Sequence, residues 1–272
     1  MLLTLDIGNS AAKGGLFEDG RLVRVFQIDV ALGDATPTVA AARWREALAS
    51  HVNAVPLTRI GITTVVPGLL PAVRHALDRL ADAPVAVLHP DMALPFAMEY
   101  ETPDTLGMDR LAAAASAWTC WGQPSERSVV AVDVGTAVNY EVVDRAGVYR
   151  GGAIAPGPLL AEHALRNGTA QLPNVPLQFP SSPVGTSTQT ALQSGILWGA
   201  VDAVGGMIQR LAASLPDAPF VVLTGGWGET FAPHLEAVDT VAPHLVLDGV
   251  RVLLDANPPD GNLPDGACLE DP

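Results

Sequence analysis

One order of elements occurs twice in this chain. Residues 2–10 form an apolar run with strand character that delivers Asp6 into a Gly8-Asn9-Ser10 turn. The chain then returns as an extended run, turns at Asp19-Gly20 and alternates again over residues 22–28. Much later, residues 128–134 present Asp133-x-Gly135-Thr136, followed by a strand over 138–143, a turn at Ala146-Gly147 and a strand over 148–153. Two copies of strand, Asp-x-Gly turn, strand, Gly turn, strand imply an α/β architecture of two similarly folded domains facing each other. The residues around each copy fit. Helices are expected over 38–51 and 69–80, with a buried strand over 59–66 and a short strand over 85–88. A Pro-rich connection spans 89–103, and a long buried helix is expected over 190–215. The expected division is 1–120 and 121–257, with 258–272 as a tail that lacks core-forming residues.

Composition narrows the function. The 272 residues carry a formal charge of −14, which argues against nucleic acid or an anionic membrane surface as a partner. An anionic ligand would need locally placed cations. Cys120 and Cys268 form no disulfide framework or zinc pattern, and Cys120 reads as a small buried hydrophobe. The six histidines lack metal-ligand spacing. There is no Gly-x-x-x-x-Gly-Lys-[Ser/Thr] loop. With no signal peptide and no uninterrupted apolar span of membrane length, a cytoplasmic protein is expected.

Three stretches can carry chemistry. In the first, Gly8 permits close backbone approach, while Asn9, Ser10 and freed N–H groups can wrap an anionic oxygen. Lys13, the only lysine among the fifteen Lys plus Arg, adds a compact point charge. The same residues also fit a plain turn with a solvated lysine. In the second, Asp6 and Asp133 can hold a metal ion or its waters, and Gly8, Gly135 and Thr136 can bond phosphate oxygens. Gly225-Gly226 would let a flat nucleoside pack on bare backbone, or is simply a strand-to-helix turn. In the third, Gly107-Met108-Asp109-Arg110 opens an alanine-rich helix, where N–H groups and the helix dipole favour anions. Arg110 can clamp a carboxylate, and Asp109 can accept a proton from a hydroxyl attacking a phosphoryl group. Alternatively, Asp109 only offsets the dipole.

Taken in order, these motifs resemble type III pantothenate kinase. The set is Asp6-x-Gly8-Asn9-Ser10-x-x-Lys13, Tyr100-x-x-Pro103-x-x-Leu106-Gly107-x-Asp109-Arg110 and Asp133-x-Gly135-Thr136-Ala137. Gly151-Gly152-x-Ile154-x-Pro156-Gly157, Thr169-Ala170-x-Leu172-Pro173, Gly185-x-Ser187-Thr188, Gln193-Ser194-Gly195 and Thr224-Gly225-Gly226 complete it. The resemblance implies two ribonuclease-H-like domains of the acetate and sugar kinase/Hsc70/actin superfamily around a nucleotide cleft. It implies phosphorylation of pantothenate by ATP with Mg²⁺, the first step towards coenzyme A. By position, Asp6, Ile7, Gly8, Asn9, Ser10, Ala11, Ala12, Lys13 and Thr136 would bind ATP, and Asp109 would be the general base. Tyr100, Gly107, Met108, Arg110 and Thr188 would surround pantothenate, and Asp133 would hold a monovalent cation, potassium or ammonium. A homodimer with the substrate pocket at its interface is also implied.

The sequence departs from the family at Asn139 and Glu141, where Thr and Asp are usual, which bears on the cation site. Two other readings compete: a non-catalytic regulatory homologue, and a kinase for another small hydroxy acid or sugar. The intact Asp109-Arg110 argues against the first.

Overall fold

The structure, a computed structural model, describes residues 1–30 and 37–258. In chain order the strands and helices begin with β1 (Leu2–Ile7), β2 (Ala11–Glu18), β3 (Arg21–Asp29), α1 (Pro37–Val52), β4 (Arg59–Thr64), α2 (Leu70–Asp78) and β5 (Val85–Val87). Next come β6 (Ala97–Met98), α3 (Met108–Ala117), the single turn α4 (Gln123–Ser125), β7 (Val129–Val134), β8 (Ala137–Val143) and β9 (Val148–Pro156). The chain continues with α5 (Pro158–Gly168), α6 (Thr188–Ala213), β10 (Phe220–Thr224), α7 (Gly228–Phe231), β11 (Thr240–Val241) and α8 (Leu245–Asp255).

These elements fall into two units. Among the described residues, one comprises Met1–Phe96, Tyr100–Cys120 and residues 245–258; the other comprises Ala97–Glu99 and Trp121–His244. The first has a five-stranded sheet in the order β3-β2-β1-β4-β5, and the second a six-stranded sheet in the order β11-β10-β7-β8-β9-β6. In each, an antiparallel three-stranded meander leads through its first strand to two parallel strands. That is the ribonuclease-H-like order, present twice as the repeated motif requires. The β2–β3 turn needs left-handed backbone at both central positions, and Asp19 and Gly20 supply it at φ 49° and 79°.

Period-two alternation assigns the faces of the first sheet. Leu3, Leu5 and Ile7 of β1 enter a core with Ile60 and Ile62 of β4. Ala41, Trp44 and Leu48 of α1 and Val73, Ala76 and Leu77 of α2 complete that core. The opposite face receives α8: a Cβ at Gly61, the register partner of Thr4, would lie 2.4 Å from Leu254 Cδ1. A Cβ at Gly249 of α8 would lie 1.9 Å from the carbonyl oxygen of Ala112, so α8 and α3 touch backbone to backbone.

The expected division at 121–257 is corrected here, because α8 belongs to the first unit. Its residues from Leu245 to Leu254 are buried, and Asp248 and Arg251 pair at 2.8 Å (Nε–Oδ1) inside that packing. Ser116 of α3 donates to Asp248 Oδ2 at 2.7 Å, a cross-helix bond that fixes which surface α8 covers. Cys120 is likewise corrected. It is half-buried rather than enclosed, and its Sγ lies 3.8 Å from Asp248 Oδ2. The connection over 89–103 contains β6, which adds to the second sheet beside β9. Cys268 and the tail beyond 258 lie outside the described residues. Helix α6 is long and apolar enough by composition to cross a membrane. Here it places Leu197, Val201, Val204 and Ile208 against β7, β8 and β10 as a core helix.

Candidate active site

The β1–β2 hairpin shapes the first part of the site. Its two-residue tip is Asn9-Ser10, both exposed, closed by the Gly8 N–H donating to the Ala11 carbonyl at 3.0 Å. A Cβ at Gly8 would stand 3.1 Å from that carbonyl oxygen, so the glycine is there for close approach. Ile7 and Ala12 are a buried register pair beneath the tip. Asp6 and Lys13 pair in register, and Asp6 pairs with Thr63 on β4. Because Leu5 and Ile7 point to α1 and α2, alternation sends Asp6, Lys13 and Thr63 to the side of the sheet that carries α8 and α3.

The second part is the start of α3. Gly107 is the N-cap in extended backbone and makes no side-chain cap, so the first turn's N–H groups are available to Asp109. Burial pushes the Asp109 carboxyl above the usual carboxylate range. Bonds from the backbone N–H groups of Arg110 and Asp109, and the Arg110 charge, oppose that shift without cancelling it. Asp109 Oδ1 is buried and, among the described residues, has no hydrogen-bond partner. It occupies space that only glycine leaves open, since a Cβ at Gly107 would sit 2.4 Å from it. A carboxylate with one unsatisfied, desolvated oxygen is chemically poised to take a proton. Tyr100 is half-buried in the same unit, and Met108 is buried.

In the second unit, three sequence motifs meet at the end of β7. Asp133 is the register partner of Thr224 on one side and of Asn139 on the other. Gly225 has φ +92°, and a Cβ there would lie 2.4 Å from Asp133 Oδ1 and 2.5 Å from the Val134 carbonyl oxygen. Gly157 donates its N–H to the Thr136 carbonyl at 3.0 Å, and a Cβ on it would lie 2.2 Å from the Gly135 oxygen. Thr224-Gly225, Gly157 and Asp133-x-Gly135-Thr136 therefore form one glycine-lined carboxylate seat. Asn139 and Glu141 lie on the same strand face as Asp133. Glu141 is buried and accepts from the Tyr149 hydroxyl at 2.5 Å, so its longer arm is engaged by β9. Among the described residues no three His, Cys, Asp or Glu side chains cluster as a metal site. Asp133 with its register partner Asn139 would offer a cation one carboxylate and one amide oxygen, an all-oxygen donor set.

A family model described as type III pantothenate kinase matches residues 2–210. The chain belongs to the type III pantothenate kinase family. Type III pantothenate kinase 1 of Symbiobacterium thermophilum is 34% identical, with 96% of this chain and 98% of that protein covered. The type III pantothenate kinase of Acidothermus cellulolyticus is also 34% identical, with 96% and 100% covered. Solved structures share the fold at low identity. A protein described as a Baf family transcriptional activator from Campylobacter jejuni has a TM-score of 0.57 at 19% identity, covering 94% of this chain and 98% of that one. Ethanolamine utilization protein EutJ from Carboxydothermus hydrogenoformans has a TM-score of 0.53 at 12% identity, covering 92% and 89%.

Some family motifs hold structure in this chain. Ser187 caps α6 by accepting from the Thr190 N–H at 3.2 Å, and Thr190 Oγ1 accepts from the Ser187 N–H at 3.0 Å. This capping box leaves Thr188 exposed on the first turn. Gln193 donates to the Pro176 carbonyl at 2.7 Å and Ser194 to the Pro183 carbonyl at 2.6 Å, pinning the loop before α6. The Ser-x-x-Thr spacing was the available signal for the cap. Gly107 as room for a carboxylate had no local signal.

Proposed function

We propose that this pantothenate kinase transfers the γ-phosphoryl group of Mg²⁺-bound ATP to the primary hydroxyl of pantothenate, with Asp109 as general base. The observation that carries this reading is the buried Oδ1 of Asp109 at the N-terminus of α3, which has no hydrogen-bond partner among the described residues. Asp109 takes the hydroxyl proton as the oxygen bonds to the γ-phosphorus, and the bond to the bridging β–γ oxygen breaks to release ADP. Arg110, Gly107, Met108 and Tyr100 bind pantothenate, with Arg110 against its carboxylate.

Residues 6–13 and Thr136 hold the phosphates of ATP, Lys13 as a mobile charge and the hairpin tip through its N–H groups. Asp133 holds a potassium or ammonium ion, which would supply positive charge beside the phosphates. Catalysis then rests on positioning and charge neutralisation. The enzyme works in the cytoplasm as a homodimer with Thr188 of one protomer completing the other's substrate pocket. Support for the dimer comes from apolar side chains on one element of the second unit: Leu159, Leu160 and Leu165 of α5 are all exposed, as is Ile154 on the preceding strand.

The test is ADP release with and without pantothenate in potassium, ammonium and sodium salts. Pantothenate-dependent release, faster with potassium or ammonium than with sodium, is expected. ADP release indifferent to pantothenate would reject the substrate, and release indifferent to the salt would reject the cation site.

A further inference from the structure

We propose that the groove between α1 and α2 is a binding site for a small amphipathic phosphate monoester, a short apolar chain ending in a dianionic head. Helical spacing builds it. Pro71 and His75 of α2 and its C-cap Arg79 recur at intervals of four, and Ala41 and Arg45 do so along α1, so each set lines one stripe facing the other helix. Ala41 and Ala72 form the floor at 8% and 9% exposure, and their small side chains leave a cavity of about 460 Å³ between the helices. That volume lies within the roughly 300–1,000 Å³ typical of small-molecule sites.

Charge sets the ligand class. The chain has 29 acidic residues against 15 basic ones, yet Arg45, His75 and Arg79 line this cavity with no acid among its described lining residues. Arg59, Arg127, Arg150 and Arg251 are each tied to a carbonyl or carboxylate. Among the described residues, Arg45, His75 and Arg79 make no such bond and are exposed at the rim. Two guanidinium forks beside an imidazole offer more donors than one carboxylate can accept, and they match the three terminal oxygens of a phosphate monoester. The alanine floor offers no polar side chain, so the remainder of the ligand is apolar. The site is also separate from the proposed chemistry. It lies on the α1/α2 face of the sheet, whereas Asp6 and Lys13 project from the opposite face.

The test is a titration of the isotopically labelled full chain with hexyl phosphate, hexanoate and hexanol, followed by amide NMR shifts. Hexyl phosphate is expected to saturate shifts confined to residues 41–45 and 71–79. In the double variant Arg45→Gln, Arg79→Gln its affinity should fall at least tenfold, while pantothenate-dependent ADP release stays unchanged. Hexanoate binding as tightly as hexyl phosphate would overturn the phosphate assignment. Equal binding of hexanol, or undiminished binding to the double variant, would overturn the site.

Discussion

The carboxylate of Asp109 stands where a side chain on residue 107 would have to begin: a Cβ on Gly107 falls 2.4 Å from Oδ1. Gly107 thus sets the position of a group two residues away, through the room it leaves. Gly107→Ala should displace the carboxylate by about 1 Å without disturbing the rest of α3, at a cost of roughly 10²-fold in kcat. Steady-state ADP release with thermal unfolding of the same samples checks this. An unchanged kcat would show that Asp109 tolerates the shift.

Asp109→Asn should lower kcat by about 10²–10⁴-fold, the range of a lost general base, while nucleotide binding by calorimetry stays near that of the parent. The same change should stabilise the fold near neutral pH. Burial raises the Asp109 pKa, so in the parent the ionised carboxylate destabilises the folded state, and this penalty fades as pH falls through the raised pKa. The Tm advantage of the variant should therefore shrink on acidification. By the same reasoning, the acid limb of the parent's kcat/KM profile should lie above the ordinary aspartate range. Equal loss of binding and turnover would count against Asp109 as base.

Gly225→Ala strikes the other glycine-lined seat. The residue is held at φ +92°, and its new methyl would meet Asp133 Oδ1 and the Val134 carbonyl oxygen. A loss of about 1–3 kcal/mol in urea denaturation is expected from backbone strain alone. The displaced Asp133 should also weaken activation by potassium, seen as a flatter salt titration of ADP release. A variant with parent stability and parent potassium response would separate Gly225 from the proposed cation site.

Much of this was written locally in the chain. The paired Asp-x-Gly turns gave both meanders, because a hairpin is set by neighbours in sequence, and the Asp19-Gly20 turn has the backbone its residues demand. Strands β4 and β5 beside the first meander were legible from their apolar runs. Helix α8 was not. Residues 245–255 find their partners near residues 61 and 112, and no local pattern reports contacts that distant. Strand β6 escaped for a different reason: two residues, Ala97–Met98, are too few to show alternation, and their pairing depends on β9 being in place. At the site, motif residues were visible as types, but not the division of labour among them. Thr190 and Gln193 build the start of α6 and its loop, which only the hydrogen bonds disclose.

Asp248→Ala should be severely destabilising. It would leave the Arg251 guanidinium, 3% exposed, with Asp255 alone and would strip the Ser116 hydroxyl of its acceptor. Removing one member of a buried pair costs roughly 3–5 kcal/mol, and Asp248→Ala with Arg251→Met should recover part of it. Urea denaturation of the two variants checks the order. A double variant no more stable than the single one would assign the loss to packing of α8 rather than to stranded charge.

The placement of α8 also reverses the sequence in which the chain can become stable. During synthesis the meander of β1, β2 and β3 leaves the ribosome first, but the surface it shares with α8 stays bare until residues 245–255 have been made. Residues 121–244 can close their own core before that happens. The half begun first is therefore the half finished last, and a nascent chain stalled short of α8 would hold one folded unit beside an open one.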